Sequence, residues 1–279
     1  MILFNIIVAG IIGGLLSLLV AGLFVAGLPQ RWLPRMVAFA TGALLGAATL
    51  TVLPEAFETG EDPRMLFTVL LGGLLALFLM ERASLWRHHH HADGEHHGHG
   101  GHEHEHETAQ SHGHGHAHGH HHHGHSHAVG QDTVMSILIG DGFHNFVDGV
   151  VIAAAFLTDP ILGWTTTAAV VAHEIPQEAG DFMILRAAGL SMGRALLYNG
   201  ASSLASVAGG IVGYFALASA QPLLPYALCL AAASFLYIAV ADLIPMLRRE
   251  RERHVAAWQV GCLLAGIGVM VVTGLFHHH

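Results

Sequence analysis

The sequence predicts an all-α membrane protein, a bundle of eight transmembrane helices with N and C termini both extracytoplasmic. Three observations predict it. Hydrophobic residues fill 53% of 279 positions and charged ones only 11%, whereas a soluble domain carries about 25% charge to cover its surface. The apolar residues fall in runs of about 20 or more, the length an α-helix needs to cross a bilayer. The basic residues, all arginine, recur on one side of the weave that those runs make.

The first run, Ile2–Leu28, has no basic leader and no small-residue cleavage pattern, so it reads as a retained span rather than a signal peptide. Met36–Ala56 and Met65–Leu85 follow, separated by a loop carrying Glu55, Glu58, Glu61 and Asp62. Residues 1–87 thus hold spans one to three. Val134–Leu157 and Ile161–Arg186 are punctuated by Asp159-Pro160, and Ala195–Ala220, Leu223–Leu247 and Val255–Phe276 complete spans four to eight within residues 131–276. His277, His278 and His279 read as a tag remnant. Cys229 and Cys262 lie inside apolar runs, which leaves neither a disulfide framework nor a cysteine-type zinc site.

Arginine orients the bundle. Arg31 and Arg35 follow span one, Arg82 and Arg87 close span three, and Arg186 and Arg194 flank the turn after span five. Arg248, Arg249, Arg251 and Arg253 fill the turn after span seven, which leaves Arg64 alone on the opposite side. By the positive-inside rule the crowded side is cytoplasmic. The partners expected are therefore the lipid bilayer and a second copy of the chain in a homodimer, with no nucleic acid. The expected location is the plasma (inner) membrane.

Residues 88–130 break the pattern. Twenty of 26 histidines lie between His88 and His127, interleaved with Gly, Glu and Ala. Such a tract cannot bury a core, so a disordered cytoplasmic loop is expected. Its neutral imidazoles suit a loose metal buffer or sensor rather than a required part of a transport route.

The chemistry sits in spans four and five. Asp141, His144, Asn145 and Asp148 are spaced i, i+3, i+4, i+7, which stacks them on one helical face. In span five His173 and Gln177 are four apart, as are Glu174 and Glu178. Ionisable groups at mid-membrane are costly and mark a cavity or ion pathway. Antiparallel neighbours joined by a short turn bring both sets to one depth. Imidazole nitrogen with carboxylate and amide oxygen suits a divalent ion such as Zn2+, with Fe2+, Mn2+ or Cd2+ as alternatives. Pro176 frees a backbone carbonyl beside them. A purely structural hydrogen-bond network is the competing account, but it leaves a large charge deficit without a cation.

The stretch His144-Asn145-Phe146-Val147-Asp148-Gly149, followed by His173-Glu174-Ile175-Pro176-Gln177-Glu178 and Gly180-Asp181-Phe182, resembles the ZIP (Zrt/Irt-like) metal transporters. More narrowly it resembles their branch whose fifth span carries HExPHE. Leu53-Pro54-Glu55-Ala56, Asn199 with Ser202 and Ser203, and Phe235-Leu236-Tyr237-Ile238-Ala239 with Asp242 and Pro245 extend the likeness along the chain. The resemblance implies metal uptake toward the cytoplasm and a two-metal centre between spans four and five. It also implies movement of spans one, four, five and six against the other four. It carries ligand roles onto His144, Asn145, Asp148, His173, Glu174 and Gln177, with Glu178 nearby, and a transport path past Asp141, Asn199, Ser202 and Ser203. Three positions depart from the family pattern: Gln177 where the branch has histidine, Thr51 where many members have a span-two histidine, and Ser202 and Ser203 where some relatives have a carboxylate.

Rival readings are weaker. His173-Glu174-x-x-Gln177 lacks the second histidine of an HExxH zinc protease, so an enzyme is not expected. Cation-diffusion exporters pair fewer spans with a folded C-terminal domain. A metal-binding membrane sensor that does not transport is the remaining alternative.

Overall fold

A computed structural model describes residues 1–27, 32–92, 131–247 and 253–277. Among these residues the chain is helical throughout, with no strand. Eight rods follow one another: α1 (Ile2–Ala26), α2 (Leu33–Glu58), α3 (Pro63–Ala92), α4 (Gln131–Thr158), α5 (Pro160–Ala187), α6 (Met192–Ala218), α7 (Gln221–Leu247) and α8 (Arg253–His277). They match the eight expected spans. Helix α3 continues seven residues past the expected Leu85, to Ala92. The histidine tract beyond it, Arg31, Arg248, Arg249, Arg251, His278 and His279 lie outside the described residues.

Six rods are long and apolar enough to cross a membrane. The two that do not qualify, α4 and α5, hold the polar stripe. Local chemistry sets the joints. Asp159 caps α5, accepting from the amides of Ile161 (2.7 Å) and Leu162 (3.0 Å), with Pro160 at the first helical position. Gly60 and Gly189, with φ of 81° and 87°, make the turns after α2 and α5. Tyr226 at the head of α7 donates to Glu61 Oε2 at 2.9 Å, pinning the acidic loop between α2 and α3.

Two irregularities are not expected from apolar periodicity. The α2 rod widens into a π-helix over Ala47–Val52, and α7 does the same over Ile238–Leu243. Each widening ends directly before an x-Pro step, Leu53-Pro54 or Ile244-Pro245. Proline donates no N–H and crowds the carbonyl four residues back, and a wider turn relieves both problems. Each π segment packs against the other helix of the pair.

Packing divides the rods into two groups. Helices α1, α4, α5 and α6 contact one another, while α2 packs on α8, and α7 packs on α3 and α2; contacts of α2 with α5 and of α7 with α4 join the two groups. In lipid the hydrophobic effect does not drive helices together, so close backbone approach through small residues must do it. At the α4–α6 seam, a Cβ on Gly149 would strike the Ser206 carbonyl, and one on Gly209 the Phe146 carbonyl. At the α2–α8 seam, Gly42 faces the Leu263 carbonyl in the same way. Helices α3 and α8 lie outermost, with 11% of their apolar windows buried against 67% for α2.

Candidate metal centre

Helices α4 and α5 cross so that four side chains meet. His173 Nε2 lies 3.1 Å from Asp148 Oδ2, 3.4 Å from Glu174 Oε1 and 3.1 Å from His144 Nε2. His144 Nε2 lies 3.6 Å from Asp148 Oδ2 and 3.5 Å from Glu174 Oε1. All four donor atoms fall within 4.8 Å of one another. Ligands about 2.0–2.2 Å from a tetrahedral zinc ion stand roughly 3.3–3.5 Å apart, and the five separations above, 3.1 to 3.6 Å, lie close to that spacing.

Electrostatics point the same way. The Asp148 and Glu174 carboxylates are buried and have no hydrogen-bond donor. Their near neighbours are imidazole nitrogens. His173 Nδ1 is 3.3 Å from the Ala169 carbonyl, the kind of contact that usually orients a metal-binding histidine. Two carboxylates with both imidazoles in the neutral, metal-binding form would carry a charge of −2, which a divalent cation cancels. His144 is 23% exposed while Asp148, His173 and Glu174 are 6% or less, so the cluster is least covered on the His144 side.

The remaining expected residues sit elsewhere. Asn145 Nδ2 donates to Asp141 Oδ1 at 3.1 Å, and Gln177 Nε2 donates to the same oxygen at 3.2 Å. These three form a polar layer one turn from the cluster, toward the N-terminal end of α4 and the C-terminal end of α5, bridging the two helices. Glu178 projects to another face of α5, where Ser17 and Ser203 hydroxyls contact its Oε1. Asn199 Nδ2 donates to the Glu178 backbone carbonyl at 3.1 Å, and Ser202 Oγ donates to the Asn199 carbonyl at 2.8 Å. Thr51 lies in the π turn of α2, which packs against α5 and α7, buried with its hydroxyl unpartnered. Ser17 was not legible as a site residue, because a single serine in an apolar run carries no spacing signal.

Comparison with known proteins gives the family. The family model described as ZIP Zinc transporter matches residues 1–274. The zinc transporter ZIP6 of Homo sapiens is 36% identical over 149 residues, covering 51% of this chain and 20% of that protein. The zinc transporter ZIP10 of Danio rerio is 35% identical over 150 residues, covering 51% and 18%. The metal cation symporter ZIP14 of Bos taurus is 36% identical over 151 residues, covering 51% and 30%. The matched stretch thus spans 18% to 30% of the length of these relatives. None of them is named for an enzyme.

Proposed function

The chain belongs to the ZIP zinc transporter family, and from that premise we propose that it carries divalent transition metal, zinc foremost, into the cytoplasm by alternating access through the His144–Asp148–His173–Glu174 cluster. The observation that carries this reading is the convergence, within 4.8 Å of one another, of two imidazole nitrogens and two unpartnered carboxylates at the α4–α5 crossing. An apolar bundle has no use for such a set unless a cation passes among them. Both carboxylates come from helices too polar to qualify as ordinary spans, which fits a site at the centre of the bundle rather than a lipid-facing one.

Direction follows from the arginines, ten of which fall on one side of the weave. The polar layer of Asp141, Asn145 and Gln177 lies between the cluster and that side, so an ion released inward passes it next. Gln177 and Asn145 hold Asp141 now, and rearranging those bonds would open the way. The separate grouping of α1, α4, α5 and α6 supplies a body that can rock against α2, α3, α7 and α8. The histidine tract is assigned the role of a cytoplasmic metal buffer or sensor.

Zinc uptake into proteoliposomes tests the reading. His144→Ala, Asp148→Ala and His173→Ala should each abolish saturable uptake while the protein still inserts and stays monodisperse. Wild-type uptake by all three would rule the cluster out.

A further inference from the structure

Glu178 takes no part in the four-residue cluster, and its surroundings call for a cation of another kind. It is fully buried where α1, α5 and α6 meet. Its Oε1 is contacted by Ser17 Oγ at 3.1 Å and by Ser203 Oγ. Its Oε2 has no partner, and neither has Oδ1 of Asn199, which is also fully buried. The charged groups that act on it, Glu174 and Asp141, are both acidic. A narrow cavity lined by Gly13, Gly14, Asn145, Glu174 and Ser206 reaches the α1 turn that carries Ser17.

Protons are short at this junction. The single hydroxyl proton of Ser17 faces both Glu178 Oε1 and the Gly14 carbonyl, 3.1 Å away. That of Ser203 faces both Glu178 Oε1 and the Asn199 carbonyl at 2.9 Å, an oxygen Ser202 also approaches. A serine hydroxyl donates once and accepts twice, so oxygen lone pairs outnumber the protons available. A proton on the carboxyl would mend this only in part. On Oε1 it would be donated to Ser203 Oγ and free that hydroxyl for the Asn199 carbonyl, but Glu178 Oε2 and Asn199 Oδ1 would still be left without a partner. A cation differs from a proton in satisfying several lone pairs at once.

The donor set also specifies the ion. It is all oxygen, one carboxylate with hydroxyl and amide oxygens, and lacks the imidazole that a borderline metal prefers, so it suits a hard cation. One negative charge in a buried place balances a single positive one. We propose that Ser17, Glu178, Asn199 and Ser203 form a binding site for a sodium-sized monovalent cation, distinct from the four-residue cluster, that ties α1, α5 and α6 together.

Radiolabelled sodium binding to the full chain in detergent, with zinc removed by a chelator, tests this. Thermal unfolding is followed in parallel in sodium chloride and in choline chloride of equal ionic strength. Expected are saturable sodium binding at one class of site and a higher unfolding midpoint in sodium. Glu178→Gln should remove both, and Ser203→Ala should weaken sodium binding by roughly tenfold or more. His173→Ala should lose zinc binding and keep sodium binding, so the two sites fail independently. Absence of saturable sodium binding by folded wild-type protein would overturn the proposal, as would undiminished binding in Glu178→Gln. If Glu178→Gln does not fold, Ser17→Ala and Ser203→Ala decide the matter, and wild-type sodium binding by both refutes it.

Discussion

Asp148→Asn is the most informative single change, because it removes one charge and almost no volume. Asp148 is fully buried, its Oδ2 lies 3.1 Å from His173 Nε2, and no hydrogen-bond donor compensates it. A pair of unit charges about 4 Å apart interacts by about 4 kcal/mol at an effective dielectric of 20, and a divalent ion doubles this to roughly 8 kcal/mol. The amide oxygen that replaces the carboxylate still coordinates, so about half of that energy should be lost. A loss of about 4 kcal/mol raises Kd for zinc close to a thousandfold. Competition against a fluorescent zinc chelator, on detergent-purified protein with wild-type helicity and a monodisperse elution profile, measures it directly. A loss under about tenfold would mean that Asp148 does not face the ion, and the tetrahedral assignment would be wrong.

Acid should slow zinc uptake, because protons compete with the ion for the imidazole ligands. An initial-rate profile in proteoliposomes should fall as pH drops, and a flat profile would exclude imidazole ligands. Gln177→Ala breaks the link to Asp141 at 3.2 Å but leaves the four-residue cluster, so it should change uptake rate while zinc affinity stays within about threefold, a shift under about 1 kcal/mol. Gly149→Ala forces a methyl against the Ser206 carbonyl and should destabilise the α4–α6 seam by about 1–3 kcal/mol, read as a lowered thermal midpoint. Deleting residues 88–127 should leave initial uptake near wild type while altering its response to preloaded internal zinc, and total loss of uptake by the inserted protein would assign the tract to the route itself.

The eight rods were legible because a membrane imposes length and apolarity on every crossing, and the rods end within a few residues of the expected positions apart from α3. The α4–α5 stripe was legible for the same reason inverted: Asp141, His144, Asn145 and Asp148 repeat with helical spacing in a setting that penalises each of them. Spacing could not tell which of the stripe residues turn toward which neighbour. Asn145 and Gln177 share faces with His144 and His173, yet their amide hydrogens go to Asp141, because a carboxylate is the strongest acceptor within reach. Glu178 differs from Glu174 by one helical turn, and the serines of α1 and α6 are enough to draw it aside. The π turns were hidden because apolar composition is blind to backbone register. Proline at positions 54 and 245 was the available signal.

The placement of the cluster follows from how the helices pair. Exchanging α1 with α6, α2 with α7, α3 with α8 and α4 with α5 maps the main packing partners onto one another. The α4–α6 contact becomes α5–α1, α2–α8 becomes α7–α3, and α2–α5 becomes α7–α4. The contact of α8 with α5 has no comparable counterpart. The π turns in α2 and α7 exchange as well, each ending at an x-Pro step. Every exchange joins an odd span to an even one, so in an eight-pass weave the related helices run in opposite directions. The relating axis therefore lies in the membrane plane and passes between α4 and α5. That is where His144 Nε2 and His173 Nε2 stand 3.1 Å apart. A site on such an axis meets related surroundings toward both faces of the membrane, so a rocking motion that closes one side opens the other without moving the ligands far. The symmetry is incomplete at one point of consequence: the Asp141 layer lies on one side of the cluster only, and in the uptake proposed above that is the side toward which the ion is released.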